Sequence, residues 1–134
     1  MIAIDSSVLV MYFSKEEGWE EAEKVIEQGV VTLELAVKEV ANSLWKKVLR
    51  EEMAEEDAIR IILDLASGDI IRIEDQGKYL EEAFDIAVKK RITIYDALFI
   101  SLAKSRKLEL VTCDRRQGRV AEEEGVKTNY LPSP

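Results

Sequence analysis

Apolar and polar positions along the chain follow two periods, and the switches between them mark out the elements. Met1-Ile2-Ala3-Ile4 is a short apolar run that predicts a buried strand. Asp5-Ser6-Ser7 then offers helix caps ahead of the apolar segment Val8 to Phe13. Ser14 and Glu17 have capping-box spacing, with Trp19, Ala22 and Ile26 giving a helical face behind them and Gly29 ending the helix. Val30 to Leu33 reads as a second strand. Val37, Val40, Ala41, Leu44 and Val48 form the apolar stripe of a helix from Leu35 to Glu52. A helix over Glu55 to Ala66 follows, with Ile59, Ile62, Leu63 and Ala66 expected inward and Gly68 past its end. Ile70 to Ile73 predicts a third strand, and Leu80, Ala83, Phe84 and Ala87 mark another helix.

Thr93 is placed to cap a helix from Tyr95 to Lys107 that is apolar nearly all round at its start, so this helix is expected to be buried. Leu108 to Cys113 predicts a strand, Gln117 to Glu124 a short helix and Lys127 to Leu131 a last edge strand. Tyr12, Phe13, Trp45, Phe84 and Phe99 fall on apolar stripes and are core candidates. Strand and helix alternate throughout, which predicts an α/β fold: a mainly parallel sheet with helices on both faces. The length of 134 residues suits one domain spanning residues 1–134.

Composition narrows the chemistry. There is no histidine, so Ser-His and Cys-His plans, an imidazole base and a histidine-held zinc all fall away. A single cysteine, Cys113, excludes an intramolecular disulfide and a cysteine-based zinc site. An enzyme of this composition must work through carboxylates and a hard metal. The net charge of −8 argues against broad nucleic-acid binding by the bare chain, although a metal neutralises acids locally. The start lacks a basic leader, and the run Val8 to Phe13 is far short of the roughly 20 residues of a membrane span, so no membrane partner and a cytoplasmic location are expected.

Four acids stand where such chemistry could assemble. Asp5 and Asp114 each follow a predicted strand, and in open parallel sheets sites form at the carboxyl ends of strands. Each also reads as a helix N-cap. Asp96 opens the apolar helix, and Thr93-Ile94-Tyr95-Asp96 equally fits a capping box. Glu39 lies inside a helix on a polar ridge with Asn42, Ser43 and Lys46, which also suits a solvated face. Periodicity does not show that the four meet.

The surrounding sequence resembles the PIN-domain family, especially VapC-type toxins of toxin–antitoxin modules. Ile4-Asp5-Ser6-Ser7-Val8-Leu9-Val10 is similar to the first motif of that family, Glu39-Val40-Ala41-Asn42-Ser43-Leu44-Trp45-Lys46 to the second, Tyr95 to Ala103 to the third and Leu110-Val111-Thr112-Cys113-Asp114 to the last. All occur in order and span nearly the whole chain. The resemblance implies a three-layer α/β/α sandwich and a metal-dependent endoribonuclease that hydrolyses RNA with Mg²⁺ or Mn²⁺. It implies Asp5, Glu39, Asp96 and Asp114 as catalytic metal ligands, with support from Ser6, Ser7, Asn42 and Thr112. Arg115-Arg116-Gln117 stand where family members often carry further polar or acidic residues, which leaves a second metal position open.

Lys46, Arg115, Arg116 and Arg119 are candidates for substrate phosphates, with ordinary solvated surface as the competing reading. The resemblance further implies a protein antitoxin and a homodimer, both using the region Leu35 to Ala66. Two other functions compatible with these residues are an RNA-processing nuclease outside toxin modules and a non-catalytic binding domain of the same fold. Metal binding separates the second of these from an enzyme.

Overall fold

The computed structural model describes residues 1–133, and Pro134 lies outside them. Five strands form one sheet: β1 (Ile2–Ile4), β2 (Val30–Leu33), β3 (Arg72–Glu74), β4 (Glu109–Thr112) and β5 (Thr128–Tyr130). All neighbouring pairs are parallel and the order is β3-β2-β1-β4-β5. Among the described residues seven α-helices connect them: α1 (Ser6–Phe13), α2 (Trp19–Glu27), α3 (Glu34–Leu49), α4 (Glu55–Ala66), α5 (Leu80–Lys90), α6 (Ile94–Arg106) and α7 (Arg115–Glu123). The chain winds outward from β1 to β3 and then returns to the other side of β1. Right-handed crossovers therefore put α1 to α4 on one face and α5 to α7 on the other. This is the expected three-layer α/β/α sandwich.

The core lies between these layers. Ala3, Ile4, Val31, Leu33, Leu110 and Val111 fill the sheet, and α6 is buried from Ala97 to Ala103, as its all-round apolar start requires. Thr32 is fully buried, and its hydroxyl donates to the Ile4 carbonyl at 2.7 Å, tying β2 to the carboxyl end of β1. Among the described residues no helix is long and apolar enough to cross a membrane.

Several expectations are corrected. Ser14 does not cap α2; it is the C-cap of α1, and Gly18 opens α2 at φ +93°, a left-handed conformation that glycine tolerates best. Ile70 and Ile71 are not in β3, because the Ser67 hydroxyl accepts the Asp69 amide and holds the chain in a turn until Arg72. On α4 the inward residues are Ala58 and Leu65, with Ile61 and Ile62 half-buried, while Ile59, Leu63 and Ala66 face out. That helix packs on α3 rather than on the sheet, so only a narrow face is covered. Trp45 (57% exposed) and Phe84 (65%) are likewise surface residues, not core.

Candidate active site

The switch point of the sheet falls between β1 and β4, where the chain leaves in opposite directions, the place beyond the strand ends where parallel sheets form sites. Asp5 lies one residue past β1 and Asp114 two residues past β4, so both stand at this rim.

Asp5 is almost fully buried and is the N-cap of α1. Its Oδ1 accepts from the Ser7 amide at 3.1 Å and from the Ser7 hydroxyl, and its Oδ2 accepts from the Thr112 hydroxyl at 2.5 Å. The Ser7 hydroxyl also accepts the Cys113 amide at 2.9 Å, and the Thr112 hydroxyl accepts the Asp114 amide at 3.0 Å. Two hydroxyls thus weld the end of β1 to the end of β4. Burial pushes the Asp5 carboxyl up to about 6, against the pull of the Ser7 and Thr112 bonds, and Asp114 pushes it further.

Asp114 is the N-cap of α7, accepting the Arg116 and Gln117 amides at 3.0 and 3.1 Å. Both bonds use Oδ1. Asp96 sits in the first turn of α6, where its amide donates to the Thr93 hydroxyl at 3.2 Å. The cap is therefore made by Thr93, as expected, and through the backbone of Asp96. The Asp96 carboxyl is raised by burial first and by Asp114 second, with Thr93 and Arg116 pulling the other way.

Glu39, in the second turn of α3, is raised by burial, then by Asp96 and Asp5, while the Ser6 hydroxyl beside it lowers it. Its Oε1 is buried without a hydrogen-bond partner. The four acids therefore close a ring of mutual repulsion: Asp5 with Asp114, Asp114 with Asp96, Asp96 with Glu39 and Glu39 with Asp5. Burial, more than this repulsion, sets the upward shifts.

The supporting residues divide. Ser7 and Thr112 bind Asp5, and Ser6 neighbours Glu39. Asn42, Ser43 and Lys46 line a cavity of about 420 Å³ beside Glu39 and Ser6, so the polar ridge expected on α3 does face one space. Of the three arginines after Asp114, Arg116 acts on Asp96, whereas Arg115 stacks over the Tyr130 ring at 4.9 Å and Arg119 also acts on Tyr130. The ring lies so close to α7 that a Cβ at Gly118 would come within 2.3 Å of Tyr130 Cε1.

Gln117 is a residue that the sequence pattern did not single out. It is buried, its Nε2 donates to the Asp96 carbonyl at 3.0 Å, and its Oε1 faces the Thr112 hydroxyl at 3.4 Å. The only trace in the sequence is a polar residue three and four positions before the buried Val120 and Ala121. Cys113 offers no nucleophile, since burial pushes its thiol up to about 11.

Every side-chain donor at the rim is an oxygen, which suits a hard divalent cation. Among the described residues no three Asp, Glu or Cys side chains are grouped closely enough to hold an ion by themselves. An open site is what Mg²⁺ favours, because it keeps waters and takes one or two carboxylates plus substrate oxygens. The unpartnered Oε1 of Glu39 is the second point of fit: a buried carboxylate oxygen without a donor needs a positive partner.

Residues 2–123 match the family model described as the PIN domain. Ribonuclease VapC3 of Pyrobaculum aerophilum is 32% identical over 118 residues, which cover 86% of this chain and 90% of that protein. The crystal structure of PAE2754 from Pyrobaculum aerophilum superposes with a TM-score of 0.72 at 25% identity, covering 95% of this chain and 89% of that one. A toxin–antitoxin complex from Klebsiella pneumoniae contains a chain of the same fold, with a TM-score of 0.63 at 19% identity over 85% of this chain and 87% of that one.

Proposed function

The chain belongs to the PIN-domain family, and from that premise we propose that it is a divalent-metal-dependent endoribonuclease, the toxin of a toxin–antitoxin pair, with Asp5, Glu39, Asp96 and Asp114 as its catalytic carboxylates. The observation that carries this reading is that four acids from four segments lie near enough to repel one another at the ends of β1 and β4, with the buried Oε1 of Glu39 left without a hydrogen-bond partner. Such an arrangement is unfavourable for a bare protein and useful for one that holds a cation. The ribonuclease named among its relatives supports RNA as the substrate.

Asp5, Glu39, Asp96 and Asp114 would hold the metal, directly or through its bound waters, and Asp5 also anchors the rim. When bound, Mg²⁺ or Mn²⁺ supplies charge neutralisation at the scissile phosphate and makes water a competent nucleophile at neutral pH. Ser7 and Thr112 orient the Asp5 carboxylate and keep it in one rotamer. Asn42 and Lys46 offer a hydrogen-bonding amide and a cation to the RNA strand along the groove beside Glu39. Arg116 brings positive charge next to Asp96, whereas Arg115 stacks on the Tyr130 ring.

Two apolar surfaces fit two protein partners, so the homodimer that the resemblance puts with the antitoxin on Leu35 to Ala66 has a second candidate face on α5. Trp45, Leu49, Ile59 and Leu63 are exposed on α3 and α4 and suit the apolar face of an antitoxin segment. Leu80, Phe84 and Val88 run straight along α5 at four-residue spacing, half or more exposed. This ridge begins beside Glu81 and ends beside Arg91. Two copies pairing α5 antiparallel would set the acid of one against the base of the other, the self-complementarity that a two-fold interface needs.

The test is RNA cleavage by the purified chain. Cleavage with Mg²⁺ or Mn²⁺ that stops in EDTA and returns on adding metal is expected. Undiminished cleavage in EDTA, or none with either ion, would rule the reading out.

A further inference from the structure

Gln117 is only 3% exposed, on the face of α7 that also buries Gly118, Val120 and Ala121. An amide in such a place costs free energy unless its polar atoms are satisfied, and an apolar side chain of equal length would fill the space without that cost. The contacts of Gln117 all lead to the acids. Its Nε2 reaches the main chain of Asp96 at 3.0 Å. Its Oε1 stands 3.4 Å from the Thr112 hydroxyl, which donates to Asp5 and accepts from the Asp114 amide. Its own amide is capped by Asp114 at 3.1 Å. Its side chain therefore bonds the first turn of α6 and packs beside the Thr112 hydroxyl, while its backbone amide is held by Asp114, so the one residue touches the segments of Asp96 and Asp114 and the partner of Asp5. At the opposite ends of α6 and α7 the Lys104–Glu124 ion pair, at 2.9 Å, ties the two helices together. At the site end Asp96 and Asp114 repel each other while Arg116 attracts Asp96, and Gln117 supplies a hydrogen-bonded tie across that end.

We propose that Gln117 is a positioning residue that locks α7 against the first turn of α6 and so fixes Asp96 and Asp114 relative to the Asp5–Thr112 pair. The proposal rests on the four-carboxylate reading of the site. Loss of the amide lets like charges move apart, so the cost falls on cation affinity and turnover more than on stability. Residues that orient metal ligands in this way typically contribute about 10–100-fold to affinity or activity.

The experiment compares wild type with Gln117→Met, which keeps the length and removes both polar ends; Gln117→Leu is the second variant. In the metal-free protein, amide exchange at Ala97 and Leu98 reads the tie directly and is expected to speed up about tenfold, with α5 unchanged. Melting temperature is expected to stay level or rise. Mn²⁺ affinity measured by calorimetry is expected to fall about 10–100-fold, and kcat on RNA to fall similarly with KM nearly constant. Unchanged exchange with unchanged Mn²⁺ affinity would overturn the proposal. So would a lowered melting temperature with wild-type affinity, or failure of both variants to fold, since Gln117 would then serve packing alone. If wild type itself neither binds Mn²⁺ nor cuts RNA while exchange at α6 responds as expected, the reading of function fails and the tie stands.

Discussion

At Asp5, burial raises the carboxyl and hydrogen bonds lower it, and burial wins. Its ordinary value of 3.8 becomes about 6 in the folded protein. A carboxyl raised by folding adds stability that is complete below pH 3.8 and is lost as pH climbs through about 6. Metal-free wild type should therefore lose up to roughly 3 kcal/mol between pH 4 and 7 through this one group. Asp5→Asn should lack that share of the loss and gain on wild type as pH rises. Urea unfolding at both ends of the range checks it, and a stability difference between the two proteins that does not change with pH would refute it. At Asp96 the cap is made by Thr93 and the backbone, so Asp96→Asn keeps the start of α6 intact. Its melting temperature should hold or rise, while RNA cleavage falls at least ~100-fold, as loss of a catalytic group commonly does. A fully active Asp96→Asn protein would remove Asp96 from the site.

The elements show why some of this was legible in the sequence. β2 and α4 occupy the spans that periodicity marks, and Asp5, Thr93 and Asp114 cap the helices that follow them. These are local signals, made by residues a few positions apart. The inward face of α4 was misjudged because its apolar residues wrap around more of the helix than α3 covers. Phe84 misled for the same reason, since the apolar positions of α5 serve two faces. Ala83 and Ile86 pack inward, and Leu80, Phe84 and Val88 point out. Gln117 was invisible because its partners lie 5 and 21 residues away, across the β4–α7 link and on α6, and leave no periodic trace. The outward ridge carries its own test. Phe84→Asp with Val88→Asp should turn a dimer into a monomer in sedimentation without lowering the melting temperature much, because neither side chain is in the core. A wild type that sediments as a monomer would exclude this ridge as a self-association face.

For the molecule as a whole, the topology brings the acids together: β1 and β4 are adjacent only because the chain returns past its own first strand. A sheet in sequence order would leave Asp5 and Asp114 apart. The welded rim of Asp5, Ser7 and Thr112 holds one side, and Glu39 enters from the opposite helical layer with a buried oxygen that has no partner. Glu39 is thus the acid whose role depends most on the assembled site, since it caps no helix and it alone of the four has a buried oxygen without a partner. The most direct measurement is a Mn²⁺ titration of wild type and Glu39→Gln, with metal-free thermal melts and RNA cleavage on the same samples. A shared carboxylate site requires that Glu39→Gln melt slightly higher without metal, as repulsion is relieved, and bind Mn²⁺ and cut RNA more weakly. Equal Mn²⁺ affinity and equal cleavage in the two proteins would contradict it.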